Sequence, residues 1–288
     1  RSGLPVGSLR KDDFQLEEDG VGREIVTCLA DNAPLDVILI IQLNPGMPRD
    51  RSIARVRDQL RDVVYHLDRD DRLAVMSHTS RPKIFLTLSS DAFANELALR
   101  DALAARRRSR GWPLYDAILA ATDLFPKKWA RERRRAIVLI FDKGEIGSKV
   151  TALRLLSVLL EKNAVVYGAE VTTPEWQPSI VMVVGPPIRE WVVSFGRREL
   201  QREVQSVDQV VEETGGEVLK GNDATRLLSE SLDRIRTRYL LYFYAAPASG
   251  RTEQRKVVVR LSPEAKKRYP DAVVRGQKTY QIEALSVN

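Results

Sequence analysis

Three small or polar residues follow a long apolar run near the start of the chain, where a binding site is expected. The run Leu35–Ile41 holds six apolar residues in seven positions without alternation, which is typical of a parallel strand buried on both faces. Gln42, Asn44 and Gly46 lie in the loop that comes directly after it. Because open parallel sheets bind ligands outside the carboxyl ends of their strands, the chemistry of this chain is expected at this loop.

A second apolar strand, Arg135–Asp142, ends in a carboxylate, and Ala164–Ala169 is a third. A helix is predicted between them, over Thr151–Lys162. This alternation of strand and helix predicts a doubly wound, mostly parallel α/β sheet with helices on both faces.

Several further elements fit this alternation. Arg72–Ser77 and Lys83–Leu88 are short, rich in β-favouring residues and predicted to pair. Helices are predicted to begin at or near Ser52, Asp91, Pro113, Leu200 and Asp223. Residues 172–197 interrupt the rhythm and are interpreted as an insertion that packs on the domain.

The two ends of the chain have a different pattern. Near the amino terminus, Phe14 and Leu16 alternate with polar neighbours, Asp19-Gly20 predicts a turn, and a second strand runs through Ile25. Near the carboxyl terminus, three strands are predicted at Tyr239–Tyr244, Lys256–Leu261 and Lys278–Ile282, with no helix between them that could make parallel crossovers. We expect both ends to form one small β module, giving segments 1–33 and 238–288 around an α/β domain at 34–237.

The composition is that of a globular protein. The chain has 288 residues and is 43% hydrophobic, which suits one large domain with a small appendage. No apolar run approaches the roughly 18 residues that cross a bilayer, so no membrane span is expected. Because Arg1 stands first, we interpret the sequence as a cut or processed piece.

Few residues are available for cysteine or histidine chemistry. Cys28 is the sole cysteine, so an intrachain disulfide is ruled out, and we interpret it as a buried apolar side chain in a strand. His66 and His78 are the two histidines, and we interpret both as structural. Two histidines offer few ligands for a histidine-rich metal centre and little choice of base for a histidine-based catalytic triad.

The net charge of +7 arises from 46 basic and 39 acidic residues, and two clusters of arginines lie at 106–110 and 131–135. Such clusters could bind nucleic acid or another polyanion. Neither contains the interleaved aromatic residues of a single-strand binding surface, so a solvated loop or helix end is favoured.

Adjacent carboxylates occur at Asp12-Asp13, Glu17-Glu18 and Asp70-Asp71. Neighbouring residues in a strand point to opposite faces, so we interpret these pairs as turn and helix-cap residues and not as acid/base pairs. Since the sequence also has no phosphate loop or nucleophile motif, we expect a protein that is not an enzyme.

Taken in order, these features resemble a von Willebrand factor type A domain, in the bacterial subgroup that embeds this Rossmann-like domain between short β segments. The resemblance rests on the central strand and on six motifs: Asp12-Asp13-Phe14 with Glu18-Asp19-Gly20, Asp70–Val75, Leu114–Ile118, Ile140–Glu145, Glu213–Gly216 and Arg238–Leu241.

The resemblance implies a metal-ion-dependent adhesion site, in which Asp-x-Ser-x-Ser, a threonine and a later aspartate hold Mg²⁺. In this sequence those positions are Gln42, Asn44, Gly46 and Trp112, followed by Asp142. Only Asp142 is retained, with the amide oxygen of Asn44 as a second ligand at most. We therefore expect a degenerate site without a metal cofactor, at which Mg²⁺ binds weakly if it binds.

The resemblance leads to the hypothesis of a protein-binding module that uses the loop face without a metal bridge. Candidate contacts are Pro45, Met47, Trp112 and Lys143. The alternative for Trp112 is that it packs over the degenerate site. The resemblance also implies an exported protein, whereas the partner and the oligomeric state are not identified by the sequence.

Overall fold

The computed structural model describes nine continuous ranges and a few residues of one further helix: 6–29, 33–42, 67–78, 81–105, 113–127, 133–141, 147–171, 207–248 and 253–282, with Asp58, Arg61, Val64 and Tyr65. The strands are β1 (Phe14–Glu18), β2 (Val21–Arg23), β3 (Ile25–Leu29), β4 (Leu35–Gln42), β5 (Arg72–His78), β6 (Pro82–Ser89), β7 (Arg134–Phe141), β8 (Ala164–Val171), β9 (Val218–Gly221), β10 (Leu240–Phe243), β11 (Glu253–Leu261) and β12 (Thr279–Ile282). The helices are α1 (Ala92–Ala104), α2 (Leu114–Thr122), α3 (Ala152–Glu161), α4 (Ala224–Arg236) and α5 (Pro263–Arg268), and residues 207–213 are also helical.

The central sheet has six strands in the order β6-β5-β4-β7-β8-β9. All neighbours are parallel except the β5–β6 pair, which is antiparallel. β4 therefore lies between β5 and β7 and is buried along its whole length, as the unbroken apolar run predicted. The predicted mostly parallel α/β sheet is confirmed.

The core has one layer on each face of the sheet. On one face, Val37 and Leu39 of β4 lie among residues of α1 and α4. On the other face, Ile38 and Ile40 lie among residues of α2, α3 and the helical residues 207–213. This alternation within β4 requires helices on both faces, because neither side of the strand can face water.

Side-chain caps begin the helices where the sequence predicted their starts. Asp91 accepts hydrogen bonds from two amides at the start of α1, Thr151 from one at the start of α3, and Asp223 from one at the start of α4. Each cap satisfies an amide that would otherwise have no helical partner. Pro113 precedes α2 without a side-chain cap.

The chain ends form two smaller sheets. β1 and β11 pair antiparallel, within a four-stranded sheet of order β12-β11-β1-β2, and β3 pairs with β10. The predicted second strand of the amino-terminal hairpin is thus wrong in one respect, because it breaks at Glu24 into β2 and β3, which pair with different partners. The short helix α5 separates β11 from β12, but these strands pair antiparallel, which agrees with the expectation that no helix makes a parallel crossover between them.

A buried carboxylate joins the strands of the four-stranded sheet. Glu18 of β1 is 1% exposed and accepts hydrogen bonds from Arg23 at 2.7 Å, Arg255 at 3.0 Å, the Ala246 amide at 3.1 Å and the Tyr280 hydroxyl. Burial alone would raise the pKa of Glu18, but these hydrogen bonds lower it to about 2. The carboxylate therefore stays charged and links β1, β2, β11 and β12.

The Thr214-Gly215-Gly216 motif fits the edge of β8 closely. The Thr214 hydroxyl donates to the Val211 carbonyl at 2.9 Å and accepts from the Val166 amide at 3.0 Å. A Cβ on Gly216 would lie 1.7 Å from the Val166 carbonyl oxygen, which leaves no room for a side chain. Gly215 has a φ of +80°, a conformation that favours glycine.

Cys28 is half-buried, so the expectation of a fully buried side chain is wrong. Burial and the nearby charge of Asp13 raise the pKa of its thiol. The thiol is therefore protonated and unreactive at neutral pH, which agrees with a structural role.

Several predicted features lie outside the described residues. They are most of the helix predicted from Ser52, His66, the arginines at 106–110, the insertion at 172–197 and the start of the helix near Leu200. The segment boundaries at 33 and 237 stay a prediction. Among the helices that the structure describes, none has the length and apolar character needed to span a membrane.

Candidate functional site: the carboxyl edge of the central sheet

The carboxyl ends of the parallel strands bring one row of side chains together. Gln42, the last residue of β4, pairs with Phe141 of β7, which pairs with Glu170 of β8, and Glu170 pairs with Lys220 of β9. Paired residues of neighbouring parallel strands project to the same face of a sheet. The row therefore lines the edge at which ligands of open α/β sheets bind.

His78 extends this row on the other side of Gln42. The β4–β5 register pairs Ile41 with Ser77, so the next residues, Gln42 and His78, lie beside each other about 5 Å apart at the backbone. Two residues earlier in each strand, Ile40 and Met76 both belong to the core layer that contains α2. Because side chains alternate along a strand, Gln42 and His78 face α2 as well.

Both side chains are buried and lack hydrogen-bond partners. Gln42 and His78 are each 1% exposed, and among the described residues neither the side-chain amide of Gln42 nor either ring nitrogen of His78 has a partner. A buried polar group without a partner costs about 1–3 kcal/mol. Such groups are uncommon in native proteins, and two of them on adjacent strands make Gln42 and His78 candidates for a functional position.

His78 is uncharged at neutral pH. Burial lowers the pKa of its ring to about 4, while the negative charge of Asp116 acts in the opposite direction. A neutral imidazole has one nitrogen that donates a hydrogen bond and one that accepts. The pair Gln42 and His78 is therefore a neutral set of donors and acceptors.

Asp116, in the first turn of α2, binds residues 148–150, which lie just before α3. Its carboxylate accepts hydrogen bonds from the Lys149 amide at 3.1 Å and the Val150 amide at 3.0 Å, and its own amide donates to the Ser148 hydroxyl at 3.2 Å. Both carboxylate oxygens are thus used by the backbone. Asp116 therefore has two effects. Its charge acts on His78, and its hydrogen bonds fix the backbone of residues 148–150.

At the far end of the row, Glu170 and Lys220 form an ion pair at 2.7 Å. The hydrogen bond with Glu170 raises the pKa of Lys220 despite partial burial. Because Lys220 is 60% exposed, this pair is accessible to solvent and adds little stability.

Of the residues that the sequence proposed for the site, the structure describes Gln42 alone. Seven others lie outside the described residues: Asn44, Pro45, Gly46, Met47, Trp112, Asp142 and Lys143. His78 was missed, because the sequence analysis assigned it a structural role. A usable signal was its place after the apolar run Leu73–Met76, since this strand was predicted beside the central one.

The described donors at this edge do not form the set that Mg²⁺ prefers. In the part of the chain that the structure describes, no cluster of three histidine, cysteine, aspartate or glutamate side chains could hold a metal ion. Asp116 is bound to backbone amides and Glu170 to Lys220. Mg²⁺ needs hard oxygen ligands in octahedral geometry, whereas Gln42 and His78 offer one amide oxygen and one ring nitrogen.

The described arginines of the second cluster are used within the protein. Arg133 donates to Asp36 at 2.7 Å, and Arg135 donates to the carbonyls of Lys162 at 3.1 Å and Pro126 at 2.6 Å. Arg134 is buried and donates to carbonyls at the end of α4. The expectation of solvated side chains is wrong for Arg134 and Arg135, because Arg134 binds carbonyls at the end of α4, and Arg135 binds the carbonyl at the end of α3 and that of Pro126.

The adjacent carboxylates have structural partners. Asp71 accepts from the Leu35 amide at 2.8 Å and from Arg236 at 2.6 Å, and Asp13 accepts from the Arg10 amide at 2.8 Å. Glu17 pairs with Arg260 at 2.5 Å. The contacts of Asp13 and Asp71 agree with turn and cap residues, whereas this expectation is wrong for Glu17 and Glu18, which lie within strand β1 and form ion pairs across the small sheet.

Comparisons with known proteins concern the fold. No family model and no curated protein matches the chain. An aerotolerance-related membrane protein from Bacteroides fragilis is similar in structure, with a TM-score of 0.51, 12% identity, and coverage of 71% of this chain and 100% of that one. BatB from Bacteroides thetaiotaomicron has a TM-score of 0.49 and 16% identity with the same coverage.

A von Willebrand factor type A structure from Catenulispora acidiphila is also similar, with a TM-score of 0.45, 16% identity, and coverage of 81% of this chain and 51% of that one. The mostly parallel sheet with helices on both faces is the architecture that the sequence resemblance implied. The chain has a von Willebrand factor type A-like fold.

Proposed function

We propose that this protein is a non-enzymatic protein-interaction module that binds its partner through the loop face at the carboxyl edge, without a metal bridge. The observation that carries the proposal is Gln42, which is buried and unpartnered among the described residues where the family resemblance places the first metal-binding carboxylate. Beside it lies a neutral histidine and not a carboxylate. We call the neutral pair Gln42 and His78 the floor of the site. A floor without charge favours direct contact with a protein over binding of Mg²⁺.

The proposed contacts above this floor are Pro45, Met47, Trp112 and Lys143. Tryptophan and methionine supply apolar area to protein interfaces, and tryptophan is frequent among the residues that dominate binding energy. The lysine adjoins Asp142 in sequence and opposes cation binding there. An exported location is part of this proposal and rests on the family resemblance.

Metal independence is tested by melting the chain with Mg²⁺, with Mn²⁺ and with a chelator. An ion that binds the folded chain raises its stability by RT ln(1 + [L]/Kd). We expect equal melting temperatures in all three conditions. A rise with Mg²⁺ or Mn²⁺ that is abolished in Asp142→Ala would overturn the metal-free proposal.

The contact surface is tested by a pull-down with Trp112→Ala and with Tyr244→Ala as the aromatic control. Tyr244 is 81% exposed and lies after β10, which is not a strand of the central sheet. Trp112→Ala should lose the partner while Tyr244→Ala retains it. If folded Trp112→Ala still binds the same partner, the proposal that the loop face is the contact surface is overturned.

Binding of a polyanion through the arginine clusters is the alternative. The described arginines of the second cluster are bound to carboxylates and helix-end carbonyls, which weakens it. Its mark would be an affinity for nucleic acid that falls steeply with salt. We expect no gel shift at low salt.

A further inference from the structure

We propose that Gln42 and His78 together bind an uncharged amide group of the protein partner, which is the side chain of an asparagine or a glutamine. This inference rests on the proposed function, because it names the chemical group that the loop face recognises. It adds His78 to the site as a ligand-contacting residue.

The geometry supplies a two-residue floor of fixed spacing. Gln42 and His78 end adjacent parallel strands and face the same side, next to the start of α2. Their backbones are held by the sheet, since β4 and β5 are paired from Asp36 to Ile41. Sites on paired strands are positioned more precisely than sites on loops.

The available hydrogen bonds match a primary amide. Gln42 offers an NH₂ group and a carbonyl oxygen, and neutral His78 offers one N–H and one lone pair. An incoming amide presents the same two kinds of group, so its oxygen can accept while its NH₂ donates. All four polar atoms of the floor are without partners among the described residues, so each new bond also removes a desolvation penalty.

The charges near the site favour an amide over a carboxylate or Mg²⁺ as the ligand. Among the described residues, the charge that reaches His78 is that of Asp116, which would repel an incoming carboxylate. The carboxylates of Asp116 and Glu170, in the described part of this edge, are already bound to backbone amides and to Lys220, so these residues do not supply the ligands that Mg²⁺ requires. An uncharged amide is not repelled by Asp116, because it carries no charge into the interior. It also needs no carboxylate ligand.

Both side chains are buried in the structure, so binding requires local opening at this edge. Opening exposes four unpartnered polar atoms to water, which hydrogen-bonds to them. Local opening here therefore costs less than at an equally buried apolar position, where exposure is unfavourable throughout.

The test uses a random peptide library displayed on phage and selected on the whole chain in the presence of a chelator. Selected peptides are then measured against His78→Phe, Trp112→Ala and Ser77→Ala. Ser77 is the control because it neighbours His78 in β5 but points to the opposite face. We expect peptides that share an asparagine or glutamine and bind His78→Phe about tenfold more weakly or worse, which corresponds to losing one to two hydrogen bonds.

The outcomes separate the two proposals. Peptides that depend on Trp112 but bind His78→Phe unchanged, or that share an aspartate or glutamate instead, overturn the amide inference and leave the interaction module standing. If no selected peptide depends on Trp112, the proposed function fails, and the amide inference fails with it.

A second set of measurements shows whether His78→Phe is folded and whether the peptide contacts His78. His78→Phe removes unpartnered polar atoms from a buried position, so its melting temperature should equal or exceed that of the parent chain. The chain has two histidines, and each gives one Hε1 signal in the proton NMR spectrum. The signal that is missing in His78→Phe belongs to His78. A selected peptide should shift the His78 signal, and a peptide that binds without shifting it contradicts the inference.

Discussion

Arg255 donates a hydrogen bond to the buried carboxylate of Glu18 across 237 residues of sequence. The bond joins β11 to β1, and so ties the two ends of the chain together outside the α/β domain. Arg255 also donates to the Ala246 carbonyl at 2.8 Å and the Pro247 carbonyl at 2.9 Å. The small sheet therefore has a charged centre in addition to its backbone ladder.

We predict that Glu18→Gln lowers the free energy of unfolding by about 3 kcal/mol, because Arg255 loses one of its two carboxylate partners inside the sheet and Arg23 loses its charged acceptor. The matched control is Glu17→Gln. Glu17 is the adjacent residue in β1, and its ion pair with Arg260 is exposed, so the expected loss is below about 1 kcal/mol. Urea denaturation measures both, and equal losses would contradict the assignment of Glu18 as the centre of the sheet.

We predict that stability falls as the pH drops from 6.5 to about 4, because of His78. The pKa of His78 is lowered from 6.5 to about 4 in the folded chain, so within this range the unfolded chain binds a proton that the folded chain does not. The contribution reaches up to about 3 kcal/mol at the acid end. Denaturant unfolding across this pH range measures it.

His78→Phe should remove this part of the pH dependence. Glu18 acts in a separate and more acidic window, because its pKa is lowered from 4.5 to about 2, so its stabilisation is present above pH 4.5 and is lost towards pH 2. The acid loss below pH 4.5 should therefore persist in His78→Phe. An unchanged slope between pH 6.5 and about 4 in this variant would show that His78 is not buried as a neutral ring.

We predict that Asp116→Ala destabilises the chain by about 2 kcal/mol, because the amides of Lys149 and Val150 lose their acceptor. It should also lower the pKa of His78 further, since the charge of Asp116 favours the protonated ring. Denaturation measures the first effect, and NMR titration of the histidine signals measures the second. A higher pKa of His78 in this variant would contradict the inferred electrostatics.

We predict that Gly216→Ala destabilises the chain by about 3 kcal/mol or prevents folding, because its Cβ would collide with the Val166 carbonyl. Gly22→Ala is the matched control, since a Cβ at Gly22 meets nothing within 4 Å. Circular dichroism during thermal unfolding compares the two. A Gly216→Ala chain as stable as the control would show that β8 and the Thr214-Gly215-Gly216 motif are less closely packed than described.

Elements whose pattern is local could be predicted from the sequence. The predominantly apolar runs indicated β4 and β7, because burial on both faces favours apolar residues at successive positions, and the caps at Asp91 and Thr151 marked the starts of α1 and α3. The parallel sheet followed from their alternation. These features depend on neighbours in sequence, so a single sequence contains them.

Other features depend on partners far along the chain. The break at Glu24 could not be predicted, because it arises when β3 leaves β2 to pair with β10, whose residues follow much later in the sequence. The burial of Arg135 likewise depends on two backbone carbonyls, that of Lys162 at the end of α3 and that of Pro126 in the segment after α2. His78 was underestimated for the same reason, since its unpartnered ring becomes visible only when β5 is placed beside β4.

The pairing of β1 with β11 also imposes an order of events on a chain made from its amino end. β1 is synthesised before the whole α/β domain, and its partner emerges after it. At the usual rates of about 5–20 residues per second, β1 waits on the order of tens of seconds for β11. Throughout that delay the edge of β1 that later pairs with β11 is an open template, because the early hairpin with β2 covers the opposite edge.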